Sequence, residues 1–489
     1  MSAPRIVVVG GGLGGLAVSL RLAAAGAGKI TLCERGERPG GKLNLLEREG
    51  FRFDTGPSLI TLPEVFVELF AAAGEELPKH LALRRLDPHA EYVYPHGTRF
   101  AVSPNLPAWL ATLAQLGKGE PEAYLELLAL GARIYGVSQP SFLTRPVTAP
   151  PDRAVLRSLR RFPLRGAWGN YAATVESIAK SPELRQLYLR YPTYVGSSPW
   201  ACPATLLVIP YLEFAFGAWA VEGGLYRIAE VLSGLLAARG VELRTGAEVT
   251  RIERAGGRVS GVQLASGERL PAEIVVTNAD AAELPRLLGE GDGGLAPAER
   301  SLSGLVFLLG VKRDLPELAH HTVYFSADYR REFDDLFVRR DFPDDPTVYV
   351  NAASRTDRSV VPGGIGETLF VMANSPAEPG CWGDREIESA RERVFARLAA
   401  GGFPDLGTDV VVEDVWTPAR LAAAYRAPGG AIYGTHSHGW RRAFLRPANR
   451  VRGVRGLYRV GGSAHPGGGT PTVLLSARIT AGLVLEDLR

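Results

Sequence analysis

The feature that most constrains this chain is a glycine turn set between a strand and a helix near its start. Arg5–Val9 is a short β-branched run bounded by glycine, the pattern of a buried parallel strand. It leads directly into Gly10-Gly11-Gly12-Leu13-Gly14-Gly15, which fits G-x-G-x-x-G and opens a helix. In this context Gly10 permits the tight turn, Gly12 lets a pyrophosphate approach the backbone, and Gly15 lets the helix pack on the strand. The helix start at Leu13-Gly14 offers free N–H groups and a positive partial charge to a phosphate. The helix is predicted over Leu13–Ala25 and stops at Gly26. A second strand, Lys29–Glu34, ends on a carboxylate placed to accept ribose hydroxyls. Strand, turn, helix, strand and acid stand in the order a dinucleotide site requires.

Composition narrows the class. With 489 residues, 46% of them apolar and 22% charged, the chain can build the cores of two interwoven domains. A net charge of +3 is too small to argue for nucleic acid. Cys33, Cys202 and Cys381 lie too far apart for a metal site or a disulfide framework, which predicts no metal and a reducing, cytoplasmic setting. The N-terminus reads as a strand and not as the apolar core of a signal peptide. Trp200–Ala220 is strongly apolar, with Glu213 its only charge, but Pro203 and Pro210 interrupt it. We expect a buried substrate wall or a membrane-dipping surface there.

Nucleotide-type structure returns twice. A helix at Leu225–Arg239, strands near Val241–Leu243, Glu248–Arg254 and Arg258–Leu264, and the buried run Glu273–Asn278 form one block. Gly456–Gly462, with a helix from about Pro471, forms another. The expected fold class is α/β: a Rossmann-like domain assembled from residues 1–100, 223–295 and 426–489. A helical, apolar region at 101–222 and a mixed α+β substrate domain at 296–425 are inserted into it.

The fingerprint alone suits NAD or FAD. The residues that follow it decide. Arg35, then Gly40-Gly41-Lys42, then Phe53-Asp54-Thr55-Gly56-Pro57-Ser58 resemble the extended FAD signature of the amine oxidase and phytoene desaturase superfamily. Adjacent glycines let backbone crowd the diphosphate, Lys42 adds a positive charge, and Gly56-Pro57 sets a rigid bend near the flavin. At the other end, Val460-Gly461-Gly462-Ser463-Ala464-His465 and Pro471-Thr472-Val473 resemble the C-terminal FAD motif of carotenoid desaturases. A helix start there stabilises negative charge on a reduced flavin. The resemblance also places the Val249 backbone against the adenine. It continues through Tyr194–Trp200, Pro203–Thr205 and Ile209–Tyr211 to Gly223-Gly224.

Within that family, Gly429–Gly434, Ser437-His438-Gly439-Trp440 and Gly461–His465 are most similar to the hydroxycarotenoid 3,4-desaturases. The resemblance implies FAD, an acyclic carotenoid substrate and a peripheral contact with the membrane that holds it. No second G-x-G-x-x-G occurs, so an acceptor other than NADPH, such as oxygen or a quinone, is expected to reoxidise the flavin. Arg441, Arg442, Arg446, Arg450, Arg452, Arg455 and Arg459 form a basic stretch that could meet anionic lipid or simply be solvated. No catalytic base is identified; Glu213, His438 and His465 are the polar candidates. Phytoene desaturase, carotenoid isomerase and a non-catalytic prenyl-binding protein of the same fold remain as alternatives.

Overall fold

The computed structural model describes residues 3–489. Its nucleotide-binding half is a five-stranded sheet in the order Leu457–Arg459, Ile274–Thr277, Arg5–Val9, Lys29–Cys33, Glu242–Arg244. All four pairings are parallel, with Val9 opposite both Cys33 and Thr277. Three separated stretches of sequence therefore build one sheet, as the motif spacing requires. The helices Leu13–Ala24, Arg227–Ala238 and Thr470–Asp487 cover it. Leu16, Leu20, Leu232, Leu474 and Val484 are fully buried between them. Each such side chain contributes roughly 1.5–3 kcal/mol by leaving water. A small antiparallel sheet, Val249–Ala255, Arg258–Leu264 and Arg269–Pro271, lies beside it.

The second half is a seven-stranded sheet: Val410–Trp416, Ser303–Val311, Glu367–Ser375, Val348–Ala352, His321–Tyr324, Ala90–Val93, Arg99–Val102. Only the pairing of His321–Tyr324 with Ala90–Val93 is parallel. The last two strands were expected within the first nucleotide segment, residues 1–100. They pair into this sheet instead, because Thr322–Tyr324 supplies an open edge that matches Glu91–Val93. Helices from Leu106 to Phe216 pack over this end of the sheet around Trp109, Tyr171, Tyr188 and Tyr191. The apolar run 200–220 is short helical turns, Ala204–Leu207 and Val208–Phe216, followed by a strand at Trp219–Val221. No helix among the described residues is long and apolar enough to cross a membrane.

Candidate active site

Strand Arg5–Val9 stops where Gly10, at φ +94°, turns the chain. The Gly10 amide donates to the Cys33 carbonyl, which ties the turn to the neighbouring strand. Helix Leu13–Ala24 then starts with its first N–H groups free of side-chain caps. Gly40 bridges back to Gly12, and a Cβ on Gly41 would stand 3.1 Å from the Gly12 Cα. A Cβ on Gly14 would stand 3.1 Å from the Gly461 Cα. The fingerprint, the Gly40-Gly41 turn and the C-terminal motif thus meet backbone to backbone, at the carboxyl ends of the parallel strands. Open α/β sheets bind ligands at that edge.

Glu34 holds the turn from the side. Its Oε2 accepts the Gly11 amide and its Oε1 the Gly36 amide, both at 2.7 Å. Lone pairs on both oxygens remain for hydroxyl donors. Gly56 lies against the Lys42 carbonyl with no room for a side chain. The Lys42 ammonium reaches the Ile432 carbonyl, and burial lowers its pKa while Asp280 opposes the shift. Arg35 donates to the Ala423 and Ala424 carbonyls and caps the helix Pro418–Tyr425. Val249 is buried among Val7, Val9 and Cys33. Gly461 and Gly462 turn toward the terminal helix, where Pro471 is buried and Thr472 and Val473 are half-buried. The Thr472 hydroxyl donates back to Gly469 at 2.9 Å.

One residue of this cradle had only a turn signal in sequence. Asn278 ends the strand Ile274–Thr277, and its side chain abuts Gly10, Gly12, Gly14 and Gly461. A Cβ at Gly12 would come within 2.6 Å of its Nδ2. The backbone cradle, the helix start and the acid together fit a dinucleotide. The scan of protein families matches residues 13–485 to the flavin-containing amine oxidoreductases. The chain belongs to that family. The cofactor is FAD, and the protein is an FAD-dependent oxidoreductase. It is 33% identical to a 4,4'-diapolycopene oxygenase of Methylomonas sp, with 99% of each chain covered. It is 37% identical to a zeta-carotene-forming phytoene desaturase of Myxococcus xanthus, over 97% of this chain and 92% of that one. It is 34% identical to a hydroxyneurosporene desaturase of Rubrivivax gelatinosus, over 99% and 94%.

A second polar cluster lies where the helical segments Tyr191–Val195 and Val208–Phe216 meet the seven-stranded sheet. Glu213, 3% exposed, accepts the Tyr191 hydroxyl at 2.8 Å and the Tyr194 hydroxyl at 2.9 Å. Arg190 donates to Tyr92 and Tyr194 and lies over the Tyr349 ring. The buried acid and base thus meet through tyrosine oxygens. Tyr349 bonds Ser58 on one side and His321 on the other, both at 2.6 Å. Of the expected polar candidates, only Glu213 belongs here. His438 accepts the Ser198 amide at 3.0 Å, and burial takes its pKa down to about 3. The fully buried His465 bonds the Arg145 carbonyl at 2.8 Å and stacks edge-on against Phe142. Both histidines tie loops together.

The basic stretch does not form one surface. Arg446 is buried and donates to Tyr433, Thr435 and Ser437. Arg450 pairs with Asp487, and Arg442 with Glu299. Among the described residues no cluster of His, Cys, Asp and Glu has the makings of a metal site.

Proposed function

We propose that this protein desaturates an acyclic carotenoid, by 3,4-desaturation of a 1-hydroxylated substrate. The observation that carries the reading is the glycine cradle, whose neighbouring Ser58 bonds Tyr349 at the edge of a packed aromatic cluster around Tyr92, Tyr188 and Tyr191. The hydroxycarotenoid-type motif Gly429–Gly434 meets that cradle: Ile432 holds Lys42, and Tyr433 packs against Gly196 and Gly468. The 34% identity to a hydroxyneurosporene desaturase supports the same substrate class. The 37% identity to a phytoene desaturase supports the runner-up, desaturation of phytoene.

Bound FAD supplies the hydride acceptor. Gly10, Gly12, Gly14, Gly15, Gly40, Gly41, Gly461, Gly462 and Glu34 hold it, with the start of the terminal helix at Pro471-Thr472-Val473. The proton lost from the neighbouring carbon needs only a weak acceptor, because positive charge beside a polyene is delocalised. The protein therefore acts mainly by positioning and by excluding water. Tyr191 and Tyr194 fix Glu213 in place, and Arg190 holds Tyr194.

The substrate comes from a bilayer, and one face is suited to meet it. Helix Arg153–Leu159 leaves Leu156 and Leu159 exposed, and Leu164 and Trp168 follow at 70% and 71%. Phe142 packs beside this helix and stacks on Phe444, the end of the helix Gly439–Phe444, which exposes Trp440 and Leu445. Arg153, Arg157, Arg160, Arg161 and Arg441 are exposed among them. Apolar tips ringed by arginine suit a peripheral contact with anionic lipid. Oxygen or a quinone is the electron acceptor in this reading. Product mass analysis after incubation with liposomes holding a 1-hydroxylated acyclic carotenoid tests it. A product lighter by two hydrogens supports it, and an unchanged mass points to an isomerase.

A further inference from the structure

The reaction proposed above removes hydrogens from C3 and C4 while the hydroxyl sits on C1, separated from C3 only by C2. Any group that reads the hydroxyl must therefore stand close to the flavin cradle. Ser58 does. It follows Gly56-Pro57, which is pinned on Lys42, and it reaches across to the substrate sheet through Tyr349. We propose that Ser58, Tyr349 and His321 form the site that recognises the substrate hydroxyl and so determines specificity for hydroxylated carotenoids. This assignment rests on the hydroxylated-substrate reading.

The hydrogen bonds give the chain a direction. Asn351 Nδ2 donates to the His320 carbonyl at 3.2 Å, which sets its amide orientation, and it faces His321 Nδ1 at 3.3 Å. Nδ1 is therefore the acceptor nitrogen, and its single lone pair goes mainly to the Tyr349 hydroxyl at 2.6 Å, with Asn351 at the longer distance. Ser58 then donates to the Tyr349 oxygen, and the Ser58 lone pairs are left to accept from a ligand. The site asks for an O–H donor, which a hydroxyl supplies and an ether does not. A narrow cleft of about 20 Å³ reaches Ser58 and is lined also by His320, Asn351 and Thr356 and by the charged Asp54, Arg84, Glu222 and Asp357. Nearby, His321 Nε2 and both nitrogens of His89 are buried without a partner. Both histidines are 2% exposed. Burial, with a smaller push from the Arg190 charge, holds the His321 pKa well below the usual imidazole value, and burial takes His320 to about 4.

The test compares a 1-hydroxylated acyclic carotenoid, its 1-methoxy analogue and its 1-deoxy analogue, with the FAD-loaded enzyme and the variants Y349F and S58A. The readouts are kcat/KM and Kd, the latter from quenching of tryptophan fluorescence. The wild type should prefer the hydroxylated compound over both analogues. Each variant should lower that preference about tenfold, the scale of one hydrogen bond. FAD content reports whether each variant folds, and either variant suffices. A preference that survives in a folded variant, with all three compounds falling in parallel, overturns the site assignment alone. A wild type that does not distinguish the compounds overturns both this assignment and the hydroxylated-substrate reading.

Discussion

Gly14 and Gly461 pack so closely that a Cβ on Gly14 would stand 3.1 Å from the Gly461 Cα. The first and last cofactor motifs, at opposite ends of the chain, share one backbone contact. The Asn278 side chain touches both glycines, and a Cβ on Gly461 would come within 2.8 Å of its Oδ1.

Gly14→Ala is therefore expected to push the two motifs apart. The Cβ would meet the Asn278 side-chain Oδ1 first and then the Gly461 backbone, which has little freedom to yield. The purified variant should carry less than about a tenth of the wild-type FAD, read from flavin absorbance, since lost backbone hydrogen bonds to a phosphate cost about 1.5–3 kcal/mol each. The far-ultraviolet circular dichroism spectrum should be retained.

Glu34→Gln keeps the size of the side chain but removes the charge that two backbone amides bond. FAD affinity should fall about 10- to 100-fold, as charge-assisted hydrogen bonds to the ribose are lost. Equilibrium dialysis against FAD measures it.

These two predictions concern the half of the molecule that was most legible in sequence. The glycines, Glu34 and the terminal motif stand where local rules put them, because each answers a backbone need: a turn, a close approach or a free N–H. Helix Leu13–Ala24 and strands Arg5–Val9 and Arg258–Leu264 lie within a residue of expectation. Arg190, Tyr349 and His321 were not legible. They come from a short helical segment and two strands, and only the tertiary fold brings them to Ser58. The burial of Arg446 was hidden for the same reason, since a charged side chain in a loop carries no local sign of the carbonyls it will meet.

Glu332 gives a pH dependence. It is 2% exposed, accepts from Ser326 at 2.7 Å and Thr347 at 2.6 Å, and has one oxygen without a partner. Burial, with a smaller push from Asp345, raises its pKa to about 7. The folded state thus holds a proton that the unfolded state releases near 4.5. Stability falls as pH rises between those values, and the cost is fully present above pH 7. Glu332→Gln should remove this dependence and raise stability at pH 8 by roughly 1–3 kcal/mol, read from urea unfolding at pH 5 and pH 8. An unchanged difference between the two pH values would count against it.

The exposed apolar face predicts lipid binding. Replacing Trp168 and Trp440 by Asp should reduce recovery with anionic liposomes in flotation about tenfold or more, since two large side chains no longer leave water. FAD content should be unchanged, because neither residue reaches the cradle.

The most direct test of the central claim is an anaerobic titration of the FAD-loaded protein in liposomes with a 1-hydroxylated acyclic carotenoid. The account predicts loss of flavin absorbance in step with formation of a product two hydrogens lighter. Flavin that stays oxidised while the carotenoid is bound would contradict it.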